Sequence, residues 1–384
     1  MSSGAPLSAN LLPGAMLGVF GSGQLGRMFA LAAHELGYRV HVFSPEADSP
    51  AGLIAERETI AAYDDRRAVE EFARTVDVVT LEFENVPVVA LETAAAFVPV
   101  RPGPFALQMV QDRLREKEFL HHINVSCSPF AAVDSLAEFR AAIEQVGLPA
   151  VLKTRRMGYD GKGQIAIHYP DDADPAWRHV DAVPCVLEKF VDLRREVSVL
   201  IARGLDGATT CYGPIANEHA NHILDVSVLP APTAEAMARQ AVDVAKQIAN
   251  ALEVVGIVCV EFFETTGGEL LVNEIAPRPH NSGHLTIDAC ITSQFEQQVR
   301  AICGLPLGAT DSLRPAAMAN LLGDLWQAGE PAWQRALAMP GVRLHLYGKR
   351  DPRPGRKMGH LTALADSPAE AAALARAVRA ALTS

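Results

Sequence analysis

The segment VEFFETTGGELLVNE, residues 260–274, sets two glutamates, Glu261 and Glu274, on either side of a Gly-Gly pair. With Gly267 and Gly268 as a two-residue turn, Thr266 pairs with Glu269, and stepping outward brings Glu261 directly opposite Glu274. Alternation along the strands then gives the same face Cys259, Phe263, Leu270 and Val272, so two carboxylates stand together on a largely apolar surface. Like charges in register destabilise a sheet, and an unpaired buried carboxylate costs several kcal/mol or takes up a proton. A divalent cation held by both carboxylates, with phosphate and water completing its shell, removes the conflict. The competing readings are a solvated acidic hairpin and a bulge that breaks the register.

Two glycine loops lie upstream. GSGQLG, residues 21–26, places Gly21, Gly23 and Gly26 after a strand and at the start of a helix, where backbone N–H groups suit a phosphate. A dinucleotide site would add a carboxylate at the end of the second strand, and Glu46 and Asp48 come slightly late for that. A bare structural turn and a different phosphorylated ligand are the other readings. The second loop, Gly158-Tyr159-Asp160-Gly161-Lys162-Gly163-Gln164, lies between the strand-like runs AVLKT and QIAIH, so it is not a Walker A loop. Its three glycines let N–H groups approach phosphate oxygens and let the loop close as a lid, against the plainer reading of a flexible hairpin. Lys153 in AVLKT is a lone charge among apolar neighbours and calls for an anionic partner.

Composition narrows the partners. The 384 residues suit two or three domains, and 34 Lys+Arg against 45 Asp+Glu give a net charge of -11, which argues against nucleic acid or an anionic membrane surface. Six scattered cysteines without a CxxC pair suit a reducing cytoplasm. No apolar run reaches membrane-span length, and the first 26 residues lack the Lys or Arg of a signal-peptide n-region, so the expected location is cytoplasmic.

Strand and helix alternate over 16–20, 24–36, 39–44 and 77–83, which predicts a Rossmann-like parallel-sheet domain over 16–110, preceded by a mobile extension over 1–15. The Pro-punctuated VPVRPGP closes it, and the helical QMVQDRLREKEFLHH opens a second domain over 111–305, with a lid-bearing antiparallel unit at about 149–212. Helices are expected at about 233–252 and 290–303. Residues 306–384 read as a small C-terminal domain with strands PAAMANLL and VRLHLYGK, a basic turn and an alanine-rich helix.

The strand lysine, the glycine-rich antiparallel loop, VLEKFV at 186–191 and the acidic pair ending in VNEIAPRPHNSGH together resemble the ATP-grasp superfamily. With GVFGSGQLGRM and RPGRKMGHL at 353–361, nearly the whole chain is similar to the N5-carboxyaminoimidazole ribonucleotide synthetases. The resemblance implies an α/β and α+β ATP-grasp fold, a homodimer, and three small substrates: ATP, bicarbonate and 5-aminoimidazole ribonucleotide. It also implies Mg2+, with Mn2+ as an alternative. Arg113 and Lys153 would bind ATP phosphates beneath the loop of Gly158, Tyr159, Asp160, Gly161, Lys162, Gly163 and Gln164. Glu188, Lys189, Phe190 and Val191 would form the adenine hinge, Glu196 would take the ribose, and His219 would contact the nucleotide. Glu261 and Glu274 would hold the metal, assisted by Asn273. The ribonucleotide phosphate would lie on Gln24 and Leu25 with Lys349 and Arg356. Tyr159, Asp160, Arg278, His280, Asn281 and Ser282 would surround its aminoimidazole, joined by Glu82 or Glu84.

The implied chemistry is attack of bicarbonate on the ATP γ-phosphate, giving carboxyphosphate, whose CO2 the ribonucleotide amine captures. Lys153, Asp160, Arg278 and His280 are the expected catalytic groups, with phosphate, Asp160 or His280 as the base. The rival within the class is another ATP-grasp ligase, such as a formate-dependent glycinamide ribonucleotide transformylase. Leu285-Thr286 after HNSGH departs from the family pattern of an aromatic before the threonine.

Overall fold

The computed structural model describes residues 10–158 and 161–383, so the expectations for residues 1–9, Tyr159 and Asp160 lie outside the described residues. The N-terminal strands Met16–Phe20 and Arg39–Ser44 are apolar and almost wholly buried, as a sheet covered on both faces requires. With Val78–Leu81 and Arg57–Ile60 they form a parallel sheet. The last of these, RETI, sits half-exposed at the edge and has no apolar pattern to announce it. Helix Gln24–Glu35 packs Met28, Phe29, Ala32 and Ala33 into the core beneath.

Residues 10–15 are not a free extension. Leu11 N–H donates to Cys303 O at 2.9 Å, Tyr38 Oη donates to Leu11 O at 2.7 Å, and Gly14 N–H donates to Gly37 O at 2.8 Å. Burial of Leu11 and Ala15 against the first core holds the segment down.

The rest of the chain forms two antiparallel sheets. Phe130–Val133, Cys185–Lys189, Ala150–Thr154 and Gln164–Ile167 make a four-stranded sheet in that spatial order. The unit expected over 149–212 is therefore divided: Phe130–Val133 joins it from upstream, while Leu193–Arg203 and Thr209–Ala220 lie in the second sheet. That sheet has eight strands, in the order Leu270–Ala276, Gly256–Thr265, Leu193–Arg203, Thr209–Ala220, Ile223–Leu229, Ala316–Leu322, Lys357–Leu364 and Val342–Leu346. The C-terminal strands thus continue the central sheet through pairing of Ala316–Leu322 with Ile223–Leu229. Helix Glu235–Ala251 covers one face with Ala241, Ala245 and Ile248, and helix Pro368–Ala381 covers the C-terminal part with Ala371, Ala375 and Val378.

The helical run expected from 108 breaks in two, Pro104–Val110 and Arg113–His122. Asp112 is the reason: its carboxylate accepts the N–H groups of Leu114 and Arg115 and so caps the second helix. The cap places Arg113 in the first turn, facing the central sheet. Among the described residues no helix is long and apolar enough to cross a membrane.

Candidate active site

Glu261 and Glu274 do stand opposite each other, but by another route than a two-residue turn. Thr265 N–H donates to Glu269 O at 2.9 Å and Gly268 N–H to Thr265 O at 3.0 Å, leaving a three-residue loop with Gly268 at φ +83°. Pairs beyond it, from Glu264 with Leu270 to Phe262 with Val272, therefore run one residue short. A bulge at Asn273 restores the count at Glu261 and Glu274, so the two departures cancel. They do not cancel for the residues between. Leu270 and Val272, expected beside the carboxylates, instead enter the helix-covered core with Val260 and Phe262. The bulge also lets the sequence neighbours Asn273 and Glu274 line the same cleft.

The cleft, about 880 Å³, runs between the three sheets. Its acidic wall holds more carboxylate than cation. Burial, and then the charge of Glu274, push Glu261 up to about 8. Glu116 is a third, fully buried carboxylate that accepts Ile275 N–H at 2.7 Å; burial and Glu274 push it up to about 8 also. Arg113 lies 3.3 Å from Glu274. Asn273 Oδ1 is buried without a hydrogen-bond partner among the described residues. Hard oxygens in excess beside one arginine fit a divalent cation of the magnesium type. Cys259, Glu261 and His280 also lie close enough to share an ion, but burial keeps the Cys259 thiol protonated, so the oxygen set fits better. Burial first, and then Arg278, push His280 down to about 3.

Beside the acidic wall, Lys153 meets the anion it needs, and that anion is Glu188, at 3.0 Å. Lys117, 1% exposed, shares the same oxygen at 3.2 Å. Burial alone would raise Glu188, but Lys153, Lys117 and Arg113 outweigh it and bring the carboxyl to about 2. Burial, partly offset by Glu188, pulls Lys153 below its ordinary value. The side chain of Glu188 therefore points at two lysines, not out along a hinge. Lys189 Nζ donates to Leu148 O at 2.9 Å, and Phe190 is exposed. Lys189, Phe190 and Val191 stand outside the cleft wall, as does Gly163.

Gly158, Gly161, Lys162 and Gln164 border the cleft from the small sheet. Glu196 and His219 meet across neighbouring strands at 2.8 Å; burial lowers the His219 affinity for protons, but the Glu196 bond outweighs it and raises it overall.

At the opposite end the two open glutamates take separate roles. Glu84 pairs with Arg278, which outweighs burial and lowers the carboxyl. Glu82 turns to the first glycine loop, accepting Gly23 N–H at 2.8 Å on one oxygen and Gly26 N–H at 3.0 Å on the other. Two of the N–H donors expected to hold phosphate are thus held by a carboxylate of the chain itself. A Cβ at Gly21 would stand 2.3 Å from Glu82 Cγ, so the glycine makes room for this contact. Replacing Glu82 with glutamine turns one acceptor into a donor facing an N–H, and should destabilise the protein by about 1–3 kcal/mol in denaturant unfolding. Gln24, Leu25, Lys349 and Arg356 border the same end. Burial and Arg356 push Lys349 down to about 8.

Three family models cover the chain in series: the ribonucleotide synthetase preATP-grasp domain over residues 15–111, the ATP-grasp domain over 118–295, and the phosphoribosylaminoimidazole carboxylase C-terminal domain over 316–374. The N5-carboxyaminoimidazole ribonucleotide synthase of Bacillus subtilis is 42% identical over 352 residues, 92% of each chain. The chain belongs to the N5-carboxyaminoimidazole ribonucleotide synthase family. A crystal structure of such a synthetase in complex with ADP superposes with a TM-score of 0.93 at 40% identity, covering 97% of this chain and 98% of the other. The Aspergillus clavatus synthase, solved with ADP and 5-aminoimidazole ribonucleotide, gives 0.89 at 30% identity over 97% and 99% of the two chains.

For a member of the N5-carboxyaminoimidazole ribonucleotide synthase family, the cleft gathers most of the expected residues, including Arg278, His280 and Asn281, while Ser282 lies fully buried just behind. No sequence motif marks Lys117 or Glu116. The one available signal was the run RLREKEF, in which a helix that packs on both sides carries charge where apolar residues would fall.

Proposed function

We propose that the chain carries out ATP- and bicarbonate-dependent carboxylation of the amine of 5-aminoimidazole ribonucleotide, giving N5-carboxyaminoimidazole ribonucleotide, ADP and phosphate. One observation carries this reading: a single cleft joins a triphosphate-type end, with Lys153, Arg113 and the Glu261–Glu274 wall, to a second cationic end with Lys349 and Arg356. Two anionic substrates are thereby accommodated in one chamber. The relatives solved with ADP, and with ADP and the ribonucleotide, support it.

Arg113 and Lys153 offset charge as a bicarbonate oxygen attacks the γ-phosphorus and the bond to ADP breaks. Glu261, Glu274 and Asn273 would hold Mg2+, which when bound neutralises phosphate charge. Gly158, Gly161, Lys162 and Gln164, which border the cleft, would close over it, so that carboxyphosphate loses phosphate to give CO2 out of contact with bulk water. Arg278, oriented by Glu84, holds the ribonucleotide while its amine attacks CO2. A cytoplasmic homodimer is the form we assign, with the six unpaired cysteines favouring a reducing compartment.

The test is phosphate release from Mg-ATP in bicarbonate buffer with and without the ribonucleotide. Strong stimulation is expected. Its absence from well-folded protein would leave an ATP-grasp ligase with another acceptor, for which formate with glycinamide ribonucleotide is the next assay.

A further inference from the structure

A chain of buried polar groups runs behind His280. Ser227 Oγ donates to Asn217 Oδ1 at 2.8 Å, Asn217 Nδ2 donates to Ser198 Oγ at 3.0 Å, and Ser198 Oγ donates to Ser282 Oγ at 2.8 Å. Ser282 Oγ in turn lies 2.9 Å from His280 Nδ1. The three serines are fully buried and Asn217 is 7% exposed. They come from three adjacent strands of the central sheet and the Asn281–Gly283 turn seated on it.

The direction of the chain follows from groups that can act in only one way. The backbone N–H of Ser282 can only donate, and it lies 3.3 Å from His280 Nδ1. Nδ1 is therefore an acceptor and carries no proton; a neutral ring then holds its proton on Nε2. The Ser282 hydroxyl gives its single hydrogen to Nδ1 and accepts from Ser198, which accepts from the Asn217 amide. An NH2 group only donates, so the far end agrees with the near end, and each of Ser198 and Ser282 is used once as donor and once as acceptor. An imidazolium would aim an N–H at the Ser282 N–H. His280 Nε2, on the cleft side, lies 3.2 Å from Glu261 Oε1.

We propose that the Ser227–Asn217–Ser198–Ser282 relay locks His280 as the Nε2–H tautomer, making it a hydrogen-bond donor to the acidic wall and to carboxylate-bearing reactants, and not the base that takes the amine proton. Ser227, Asn217 and Ser198 are positioning residues. The naming of that proton rests on the function proposed above; the tautomer does not. With His280 set aside, the amine proton passes, as the new N–C bond to CO2 forms, to one of the two other bases, an oxygen of the phosphate released in the same turnover or Asp160.

Side-chain 1H–15N correlation spectra of the folded wild-type chain, labelled with 15N-histidine and with His280 assigned by a His280→Gln variant, read the tautomer directly. A protonated Nε2 and bare Nδ1 are expected; an Nδ1–H tautomer or an imidazolium at neutral pH overturns the proposal. In Ser198→Ala the Ser282 hydroxyl is freed to accept from Nδ1, leaving only the longer 3.3 Å contact of the Ser282 N–H, so the ring should lose its single tautomer, and ribonucleotide-dependent turnover should fall roughly tenfold, in the range of lost orienting contacts, with the KM for ATP unchanged. A purely structural role would lower the thermal midpoint and leave the spectrum of the folded fraction as in wild type, which also overturns the relay. If the ribonucleotide fails to stimulate wild-type turnover, the functional reading falls while the spectrum still decides the tautomer.

Discussion

Replacing Glu274 with glutamine is expected to lower ribonucleotide-dependent phosphate release by about a hundred- to a thousand-fold, the scale of losing a main electrostatic stabiliser of a transferring phosphoryl group. The amide keeps the volume and the strand pairing but removes one of the two charges that face each other across the hairpin. The fold should change little, because Glu274 is 39% exposed in its side chain and relief of the repulsion with Glu261 offsets the weakened contact to Arg113. Losing that neighbour should also bring the Glu261 carboxyl down from about 8, since Glu274 is the second cause of its rise after burial. The check is a phosphate-release assay beside a thermal melt. A variant that turns over like wild type would remove the acidic pair from the mechanism and the divalent cation with it.

Replacing Glu188 with leucine should be the most damaging single change to stability, about 3–5 kcal/mol, because it strands two buried ammonium groups without a counter-charge. Adding Lys117→Met should recover part of the loss, and a double-mutant cycle in denaturant measures how much. Glu188 also predicts an acid limb. Its folded value, about 2, lies below its ordinary 4.5, so the unfolded chain takes up the proton first. The carboxylate therefore contributes stability above about pH 4.5 that is lost as pH falls from there toward 2, and the leucine variant should lack that limb. Unfolding followed from pH 6 to pH 3 decides it: equal acid slopes in wild type and variant would show that Glu188 is not the neutralising partner of both lysines.

Much of the architecture was legible in local pattern. Buried apolar runs alternating with amphipathic helices announce a parallel sheet, and MLGVF and RVHVFS form it. RETI does not announce itself, because an edge strand buries too little to need an apolar face. The strand Lys357–Leu364 does not announce itself either: it begins at the last residue of the basic turn, and its His360 and Thr362 are polar yet wholly buried.

The sequence by itself determined that Glu261 and Glu274 belong together, because both lie within one hairpin and a hairpin's pairs depend on few residues. It also determined that Lys153 needs an anion, because a charge in an apolar strand cannot stay unpaired. Only the tertiary structure decided which anion Lys153 meets, that Glu82 holds the glycine loop while Glu84 holds Arg278, and that three serines and an asparagine stand behind His280. Ser282 with His280 aside, those contacts join residues 10 to 194 positions apart, and their geometry depends on how three sheets pack. No spacing along the chain encodes it: a hydrogen bond is directional within tenths of an ångström, whereas hydrophobic periodicity specifies a face and no more.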